Sequence, residues 1–369
     1  MNAPTLDKRI PVYLLTGYLG SGKTSLLKAW LAQDEFKEAA LVINELGEVG
    51  LDNQLLIGAT ESSALVANAC VCCTGLPGLA EALEDLFWAR LERRRPRFPN
   101  LVIETTGLAE PGPVAEALRS SDLLKERYRL AGVITCLSAS TADAVLTQHA
   151  EARAQLAGAD VLIITKTDLV SSENLEALHL RVQHQLAHLE LEKPPSLLTS
   201  ARADLSAEDL VSSLERRRTS RHEATNPSAQ AFALQVVTMP SHALHLHTPG
   251  EHCAICENEH EHVHSAQALW WPIVSSIAIE ALQAQVRELQ NTLGAALLRL
   301  KGRVQTAEGR YVIQLAPFET QAAVCADELA WADTTRSGLT VIVSSHLPEA
   351  SAQYLVQQGI SSLGVDAKA

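Results

Sequence analysis

The sequence lacks the features of membrane-spanning and secreted proteins. No apolar run approaches the roughly 20 residues that a membrane-spanning helix needs. The amino-terminal segment MNAPTLDKRIPVYLLTG leads into a glycine-rich loop rather than a signal-peptide cleavage site. The seven cysteines are odd in number and unevenly spread, unlike a disulfide framework. We therefore expect no membrane partner and a cytoplasmic protein whose thiols are mostly reduced.

Basic residues are also scarce. The 30 Lys and Arg residues are outnumbered by 43 Asp and Glu residues, which gives a formal net charge of -13. Proteins that bind nucleic acid present basic surfaces to the phosphate backbone, so nucleic acid is not expected as a partner. The 369 residues, of which 47% are hydrophobic, suffice for the cores of about two domains.

Short apolar runs that end in polar residues alternate with helical patterns in the first half of the chain. The runs are IPVYLLTG, AALVINE, NLVIETTG, LAGVITCLSA, ADVLIITKTD and PSLLTSA. This alternation predicts an α/β fold with a mostly parallel sheet and helices on both faces. Ligands of such folds bind at the carboxyl ends of the strands, where the polar residues fall.

The pattern changes near residue 219. The polar stretch RRRTSRHEATNPSAQ predicts a linker. We therefore divide the chain into a first domain over residues 1–218, a linker over 219–230 and a smaller α+β domain over 231–369. The smaller domain is predicted to contain a strand AFALQVVTM, a histidine-rich loop at 242–264, a helix around 276–293 and strands ALLRLKGRV, GRYVIQLA and LTVIVSS.

The segment GYLGSGKT matches the phosphate-loop pattern G-x-x-x-x-G-K-[ST]. A strand pattern precedes it and a helical pattern follows, as a phosphate loop requires. Its backbone N–H groups are predicted to bind phosphate oxygens, with Lys23 reaching the β- and γ-phosphates and the Thr24 hydroxyl binding Mg²⁺. The alternative is a glycine-rich turn that matches by chance. The predicted nucleotide contacts are Gly17, Gly20, Ser21, Gly22, Lys23, Thr24 and Ser25.

Two further strand ends complete the predicted nucleotide site. Glu104 ends the run LVIETTG, where a Walker B carboxylate holds Mg²⁺ through water, and Gly107 could direct a backbone N–H toward the γ-phosphate. TKTD is similar to the Asn-Lys-x-Asp pattern of GTPases, whose Asp accepts hydrogen bonds from guanine. Adenine would leave that buried carboxylate unpaired. Polar strand ends at the surface are the alternative. The predicted guanine contacts are Thr165, Lys166 and Asp168, together with Ser200 and Ala201 of TSAR.

In combination these motifs resemble the CobW-type P-loop GTPases, a group of metal chaperones and metallocentre insertases. The resemblance rests on GYLGSGKT, INELGEVGLD, CVCCTG, ETTGLAEP and TKTD, in that order over most of residues 10–170. It implies a GTPase that uses GTP and Mg²⁺. The chain has Leu46 where the family typically has Phe, and Thr165 where it often has Asn. The second domain resembles the family's carboxy-terminal domain only in outline.

Three cysteines, Cys70, Cys72 and Cys73, crowd the stretch NACVCCTG between the phosphate loop and the Walker B strand. The resemblance implies that they bind a transition metal, and thiolates suit Zn²⁺, Co²⁺ and similar cations. An extended segment would place Cys70 and Cys72 on one face, with a turn at Thr74-Gly75 bringing in Cys73. The alternatives are a redox switch and burial in the core. Cys136, by contrast, is predicted to be a core residue.

Acidic residues in NELGEVGLD lie where a GTPase has its first switch. Glu45, Glu48 and Asp52 could serve the magnesium, the attacking water or the transported metal, and a solvated acidic loop is the alternative. The candidate catalytic residues are Lys23, Thr24, Glu104, Glu45 and Glu48.

The histidine-rich loop contains seven of the 13 histidines. Its Cys253 and Cys256 form a C-x-x-C pair that His252 and His260 could complete as a second zinc site. His262 and His264 alternate with His260 and could share its face. A metal-gathering tail and a solvated polar loop are the alternatives.

The sequence thus predicts a GTP-hydrolysing metallochaperone that delivers a transition metal, with zinc favoured, to a client metalloprotein in a nucleotide-dependent way. The alternatives are a metal buffer or sensor based on the histidine-rich loop, and a cobalt or iron insertase for cobalamin synthesis or nitrile hydratase. An ATP-using kinase is disfavoured by Asp168. The oligomeric state stays open, including a homo-oligomer.

Overall fold

The computed structural model describes residues 7–43, 65–66, 71–189, 191, 193–224, 266–273, 277–306, 308–319, 321–327, 337–344, 351 and 356. These residues fall into two compact units, one up to residue 224 and one from residue 266. Among the described residues, no helix is both long enough and apolar enough to cross a membrane.

A parallel sheet forms the centre of the first unit, and its described strands run in the order β3-β2-β4-β1-β5-β6-β7. All six strand pairings are parallel. Strands covered on both faces need nearly continuous apolar runs, which is the pattern of this sequence. The predicted α/β fold is confirmed. The strands are β1 (Ile10–Thr16), β2 (Ala40–Ile43), β3 (Leu65–Val66), β4 (Leu101–Glu104), β5 (Tyr128–Ser138), β6 (Val161–Thr165) and β7 (Ser196–Thr199).

The helices of the first unit cover this sheet. In one core cluster, Leu14, Val42 and Ile103 of the sheet pack with Leu83 and Leu118 of two covering helices, and all five side chains are buried. The described helices are α1 (Lys23–Trp30), α2 (Val71–Leu91), α3 (Pro111–Ser120), α4 (Asp122–Arg127), α5 (Ala142–Gln148), α6 (Ala150–Ala157), α7 (Ser172–His188) and α8 (Ala207–Ala224).

The cysteine-rich stretch differs from its prediction. The backbone is helical from Val71 onward, so the extended interpretation is wrong for Cys72, and Thr74-Gly75 lies in the helix rather than in a turn. The reason is the long helical pattern that follows, which buries Leu79 and Leu83 against the sheet. This packing has to compensate for Gly75 and Pro77, because glycine and proline both disfavour the interior of a helix. Cys70 lies outside the described residues.

Helix α8 also extends further than the sequence suggested. It continues to Ala224, through the first residues of the predicted linker. This segment is rich in good helix formers, and the Thr219 hydroxyl donates to the carbonyl oxygens of Glu215 at 3.2 Å and Arg216 at 3.0 Å. The polar composition therefore belongs to a helix that continues as far as Ala224. The division into domains 1–218 and 231–369 stays a prediction.

The second unit is an antiparallel sheet packed against one described helix, α9 (Ile279–Leu293), which confirms the α+β class. The apolar side chains Leu282, Val286, Leu289 and Leu293 recur at helical spacing and are buried in the same core as the sheet. The sheet order is β11-β10-β9-β12-β8. Its strands are β8 (Ala266–Pro272), β9 (Leu297–Gln305), β10 (Arg310–Leu315), β11 (Ala323–Ala326) and β12 (Gly338–Ser344).

Two of these strands, β8 and β11, were not predicted. Strand β8 contains Trp270 and Trp271, and Trp271 packs against the core of the second unit. The predicted strand AFALQVVTM lies outside the described residues.

Candidate functional site

The carboxyl ends of the parallel strands bring the predicted nucleotide-binding segments to one edge of the sheet. Strand β1 lies between β4 and β5. The phosphate loop follows β1, ETTG follows β4, and TKTD and TSAR follow the neighbouring strands β6 and β7. The chain moves outward from β1 in opposite directions across the sheet, and this switch in strand order creates the crevice in which such folds bind ligands.

Glycine is required in the phosphate loop for conformational and steric reasons. Gly17, Gly20 and Gly22 have φ values of 136°, 75° and 88°, which side chains rarely adopt. A Cβ atom at Gly17 would also lie 2.3 Å from the carbonyl oxygen of Cys136. The loop can therefore curl tightly at the end of β1, with its backbone close to strand β5.

Two polar side chains of this loop, Ser21 and Lys23, are buried. Lys23 is 5% exposed, and its Nζ donates to the carbonyl oxygens of Gly17 at 2.7 Å and Tyr18 at 3.2 Å. The hydroxyl of Ser21 is buried and makes no hydrogen bond to any described residue. A buried ammonium and a buried hydroxyl within one glycine-rich turn form a suitable donor set for phosphate oxygens.

Thr24 and Glu104 meet across the crevice. The Thr24 hydroxyl donates to Glu104 Oε1 at 2.7 Å, and the Glu104 residue is 4% exposed at the end of β4. The next residue, Thr105, fixes this strand end against β1, since its hydroxyl donates to Thr16 Oγ1 at 2.9 Å. A hydroxyl and a carboxylate oxygen are the ligand types that Mg²⁺ prefers, so the residues present fit this ion.

The loop after β4 lies directly on the phosphate loop. A Cβ atom at Gly107 would be 2.5 Å from the backbone nitrogen of Leu19, so only glycine allows this approach. The loop is held from its other side by Gln155 of α6. The Gln155 Nε2 atom donates to the carbonyl oxygens of Gly107 at 3.1 Å and Ala109 at 2.9 Å. Gln155 is only 1% exposed.

Sequence reasoning did not identify Gln155, nor a second contact made at the start of the same helix. His149 immediately precedes α6, and its Nδ1 lies 2.9 Å from the hydroxyl of Tyr18 in the phosphate loop. The two rings also stack, with centroids 4.4 Å apart. Burial raises the pKa of Tyr18 and lowers the pKa of His149. Both rings are therefore uncharged at neutral pH, and α6 contacts both loops of the phosphate site.

Thr165 makes a structural contact through its side chain. Its buried hydroxyl donates to the carbonyl oxygen of Ser21 at 2.6 Å and so connects the end of β6 to the phosphate loop. Lys166 follows with a φ of 55°, in the left-handed region. Threonine in place of asparagine therefore keeps a polar side chain at position 165, and this side chain joins the end of β6 to the phosphate loop.

The TKTD and TSAR segments are adjacent, as predicted from their strands. The backbone N–H of Arg202 donates to Asp168 Oδ1 at 3.3 Å, and the Arg202 Nε donates to Asp168 Oδ2 at 3.4 Å. The Ser200 hydroxyl and the Ala201 N–H both donate to Asp204, at 3.2 Å and 2.7 Å. The Asp168 side chain is 24% exposed and remains accessible from solvent.

The predicted metal ligands are only partly within the described structure. Cys72 and Cys73 lie in the first turn of α2, and their side chains are not described. The described residues contain no group of three His, Cys, Asp or Glu side chains placed to hold one metal ion. The following predicted residues lie outside the described residues: Glu45, Glu48, Asp52, Cys70, His252, Cys253, Cys256, His260, His262 and His264.

Cys136 is a core residue, as predicted. It is 1% exposed on β5, and burial raises the pKa of its thiol to about 12. A thiol that stays protonated at neutral pH is neither a ready metal ligand nor a nucleophile.

Comparisons with known proteins match the same region of the chain. Residues 11–191 match the family described as CobW/HypB/UreG, nucleotide-binding domain. The zinc chaperone YjiA of Escherichia coli is 38% identical over 196 residues, which cover 53% of this chain and 59% of YjiA. The zinc-regulated GTPase metalloprotein activator 1 of Schizosaccharomyces pombe is 39% identical over 181 residues, which cover 47% of this chain and 43% of that protein.

A solved structure of the Zn(II)-bound YjiA GTPase from E. coli aligns with 96% of this chain and 99% of its own, at 23% identity and a TM-score of 0.42. The sequence matches span roughly half of the length of the curated relatives. The matched residues contain the phosphate loop, Glu104, Gly107 and the TKTD segment. Over residues 11–191, this chain is therefore similar to the CobW-type P-loop GTPases, as its motifs predicted.

Proposed function

We propose that this protein is a GTP-hydrolysing metallochaperone that binds zinc through its cysteine triplet and delivers it to a client metalloprotein. The observation that carries the proposal is the hydrogen bond of 2.7 Å between the Thr24 hydroxyl and Glu104 Oε1, beside the buried ammonium of Lys23. A buried carboxylate between a phosphate loop and a strand end is suited to a nucleotide–metal complex. Bound Mg²⁺, held by Thr24 and Glu104, would neutralise the charge that develops on the phosphates.

The phosphate loop would orient GTP for hydrolysis. Lys23 would exchange its contacts with the carbonyls of Gly17 and Tyr18 for the β- and γ-phosphate oxygens. Ser21 would gain a partner for its buried hydroxyl. Gly107, held by Gln155, would direct its backbone N–H toward the γ-phosphate. Positioning and charge stabilisation of this kind supply most of the catalysis in phosphoryl transfer.

Guanine recognition is assigned to the adjacent TKTD and TSAR segments. Asp168 would accept hydrogen bonds from the ring N–H and the amino group of guanine, and Ala201 would donate to the guanine carbonyl. Both groups have partners that can be exchanged, because Asp168 is held by the exposed Arg202 and Ala201 by Asp204. Adenine offers no donor pair to Asp168, so ATP would be a poor substrate.

The cargo site is assigned to Cys70, Cys72 and Cys73. The helical backbone of Cys72 and Cys73 supports this, because the partial positive charge at a helix amino terminus favours the thiolate form that binds zinc. The names of the two relatives, a zinc chaperone and a zinc-regulated GTPase activator, favour zinc over cobalt. Three thiolates would leave one position of a tetrahedral zinc open for transfer.

Nucleotide state would control the metal through the segment between the phosphate loop and β4. A nucleotide can shift metal affinity only if the GTP-bound and GDP-bound states bind zinc differently. We assign Glu45 and Glu48 to the part of this segment that responds to the γ-phosphate. Hydrolysis would then favour the state that releases zinc to the client.

A metal buffer or sensor is the second candidate, because seven of the 13 histidines lie between residues 242 and 264. Deletion of these residues separates the two functions. If one tight zinc site survives and depends on Cys72, the chaperone function is supported. If all tight zinc binding is lost, the histidine-rich loop is the main site and the buffer function is supported.

The enzymatic part of the proposal is tested by measuring phosphate release from GTP and from ATP. We expect the wild type to prefer GTP, Lys23→Ala to lose hydrolysis of both nucleotides, and Asp168→Ala to lose the preference. The variant Glu116→Ala, which changes an exposed carboxylate on α3, is the control and should match the wild type. A preference for GTP that persists in Asp168→Ala would contradict the assignment of the base site.

A further inference from the structure

We infer that His184 and His188 on helix α7 form a second transition-metal site that is separate from the cysteine triplet. The two residues are one helical turn apart, and the Nε2 atoms of their rings lie 3.2 Å from each other. Both residues are exposed. Histidines at positions i and i+4 share one helix face, which is the spacing with which helices present two imidazoles to one zinc ion.

The separation of the two nitrogen atoms matches the geometry of zinc. Zinc binds imidazole nitrogen at about 2.0–2.1 Å in tetrahedral sites, so two such ligands lie about 3.3 Å apart. The observed Nε2–Nε2 distance of 3.2 Å is close to this value. Without metal, one ring donates a hydrogen bond to the other through the same two atoms. The backbone and rotamers of the helix thus hold both donor atoms in position, which reduces the ordering cost of metal binding.

The electrostatic surroundings favour a cation at this place. His188 is the last residue of a 17-residue helix, where the unpaired carbonyl groups carry partial negative charge. The nearest positive charge along the helix, Arg181, is paired with Asp143, because its Nε and terminal nitrogen donate to the two carboxylate oxygens at 2.9 Å and 2.8 Å. The repulsion between Arg181 and a bound metal is therefore reduced.

Two protein ligands define the kind of site. Imidazole suits Zn²⁺, Ni²⁺, Cu²⁺ and Co²⁺ rather than Mg²⁺ or Ca²⁺. A pair leaves two tetrahedral positions for water or for a ligand of another molecule, and such a site binds metal more weakly than a complete set of four protein ligands. This arrangement suits the pick-up or exchange of metal at the surface. The proposed metal site does not depend on nucleotide hydrolysis. A failure of the GTPase assignment would therefore not affect it.

The test is residue-resolved carbethoxylation of the histidines in the full chain, read by mass spectrometry, with Zn²⁺ alone as the probe. Zinc at ten times its dissociation constant should slow modification of His184 and His188 together by about tenfold, because only about one site in eleven remains free. The modification rates of His149 and His179 should not change when zinc is added. In His188→Ala, zinc should no longer protect His184. In His184→Ala, zinc should no longer protect His188.

Two further variants make the result specific. Gln185→Ala, on the same helix between the two histidines, should keep the protection. Cys72→Ala should also keep it, because the site is independent of the cysteine triplet. The proposal is overturned if zinc protects neither histidine, which would leave a hydrogen-bonded pair only. It is also overturned if His184 is protected equally in His188→Ala, or if protection disappears in Cys72→Ala.

Discussion

Gln155 holds the loop that follows the Walker B strand by donating its side-chain amide to the carbonyl oxygen of Gly107 at 3.1 Å. The same amide donates to Ala109 at 2.9 Å, and Gln155 is 1% exposed. Gly107 in turn packs on the phosphate loop so closely that a Cβ atom would be 2.5 Å from the backbone nitrogen of Leu19. One side chain of α6 therefore sets the position of the segment to which the proposed γ-phosphate contact belongs.

We expect Gln155→Leu to weaken binding of a non-hydrolysable GTP analogue more than binding of GDP. The variant leaves the buried carbonyl of Gly107 and the part-buried carbonyl of Ala109 without this donor, and a buried unsatisfied group costs about 1–3 kcal/mol. Only the GTP analogue carries the γ-phosphate that this loop would contact. Calorimetric titration of both nucleotides measures the ratio of the two affinities.

The matched control is Gln33→Leu. Gln33 also uses its side chain to hold backbone, accepting from the N–H of Ala207 at 2.8 Å, but its partner lies at the start of α8 rather than in the loop after β4. We expect this variant to lower the melting temperature and to leave the ratio of GTP-analogue to GDP affinity unchanged. If the ratio of GTP-analogue to GDP affinity is the same in Gln155→Leu as in the wild type, Gln155 has a purely structural role.

Gly107→Ala should reduce GTP hydrolysis strongly. The added methyl group would overlap the backbone of Leu19, so either the phosphate loop or the loop after β4 must move. A displacement of about 1 Å at a catalytic contact can cost about a hundredfold in rate. Single-turnover phosphate release measures the effect. Gly112→Ala is the control: nothing lies within 4 Å of a Cβ atom there, so this variant should hydrolyse GTP like the wild type.

Thr165→Val should weaken the binding of both GTP and GDP. Valine preserves the shape of the side chain but removes the hydroxyl that donates to the Ser21 carbonyl at 2.6 Å. An unsatisfied buried carbonyl costs about 1–3 kcal/mol, and we expect nucleotide dissociation constants to rise about tenfold. Thr165→Ser retains the hydroxyl and should restore most of the affinity. Identical nucleotide affinities in Thr165→Val and the wild type would contradict the role of this bond.

His149 should make the stability of the protein depend on pH. Burial holds its pKa below the ordinary value of 6.5, with Arg153 adding to this effect and Glu151 opposing it. The unfolded chain therefore binds the proton more readily than the folded one. The stabilisation is fully present above about pH 6.5 and decreases as the pH falls from there through the folded-state pKa.

The variant His149→Gln keeps an acceptor for the Tyr18 hydroxyl but does not titrate in this range. We expect its melting temperature to fall less than that of the wild type between about pH 7.5 and about pH 5.5. Thermal unfolding of both proteins over this range measures the difference. Parallel pH profiles would mean that burial of His149 does not contribute to the acid sensitivity of the fold.

Much of the fold and of the nucleotide site could be predicted from the sequence, because each signal was local. Apolar runs identified six of the seven described parallel strands, all except β3, and GYLGSGKT combined the required glycines with Lys23 and Thr24 in one segment. The meeting of Thr24 with Glu104, 80 residues away, followed from the rule that the carboxyl ends of parallel strands share an edge.

The residues that were missed act through contacts that no local pattern encodes. Gln155 lies on a short helix beside apolar residues, and its contact with Gly107, 48 residues away, depends on how that helix packs. His149 and Tyr18 are 131 residues apart, and the sequence carries no sign of their pairing. His184 and His188 do have a readable spacing of four, but the spacing alone does not show that their two rings meet.

The central claim is tested most directly by measuring zinc affinity through chelator competition in the presence of Mg²⁺ and either GDP or a non-hydrolysable GTP analogue. We predict that the two nucleotide states of the wild type differ in zinc affinity by about 5–150-fold, the usual range of coupling between two sites. This difference should vanish in Cys72→Ala. Zinc affinity that is indifferent to both the nucleotide and Cys72 would contradict the proposal that the GTPase controls a metal held by the cysteine triplet.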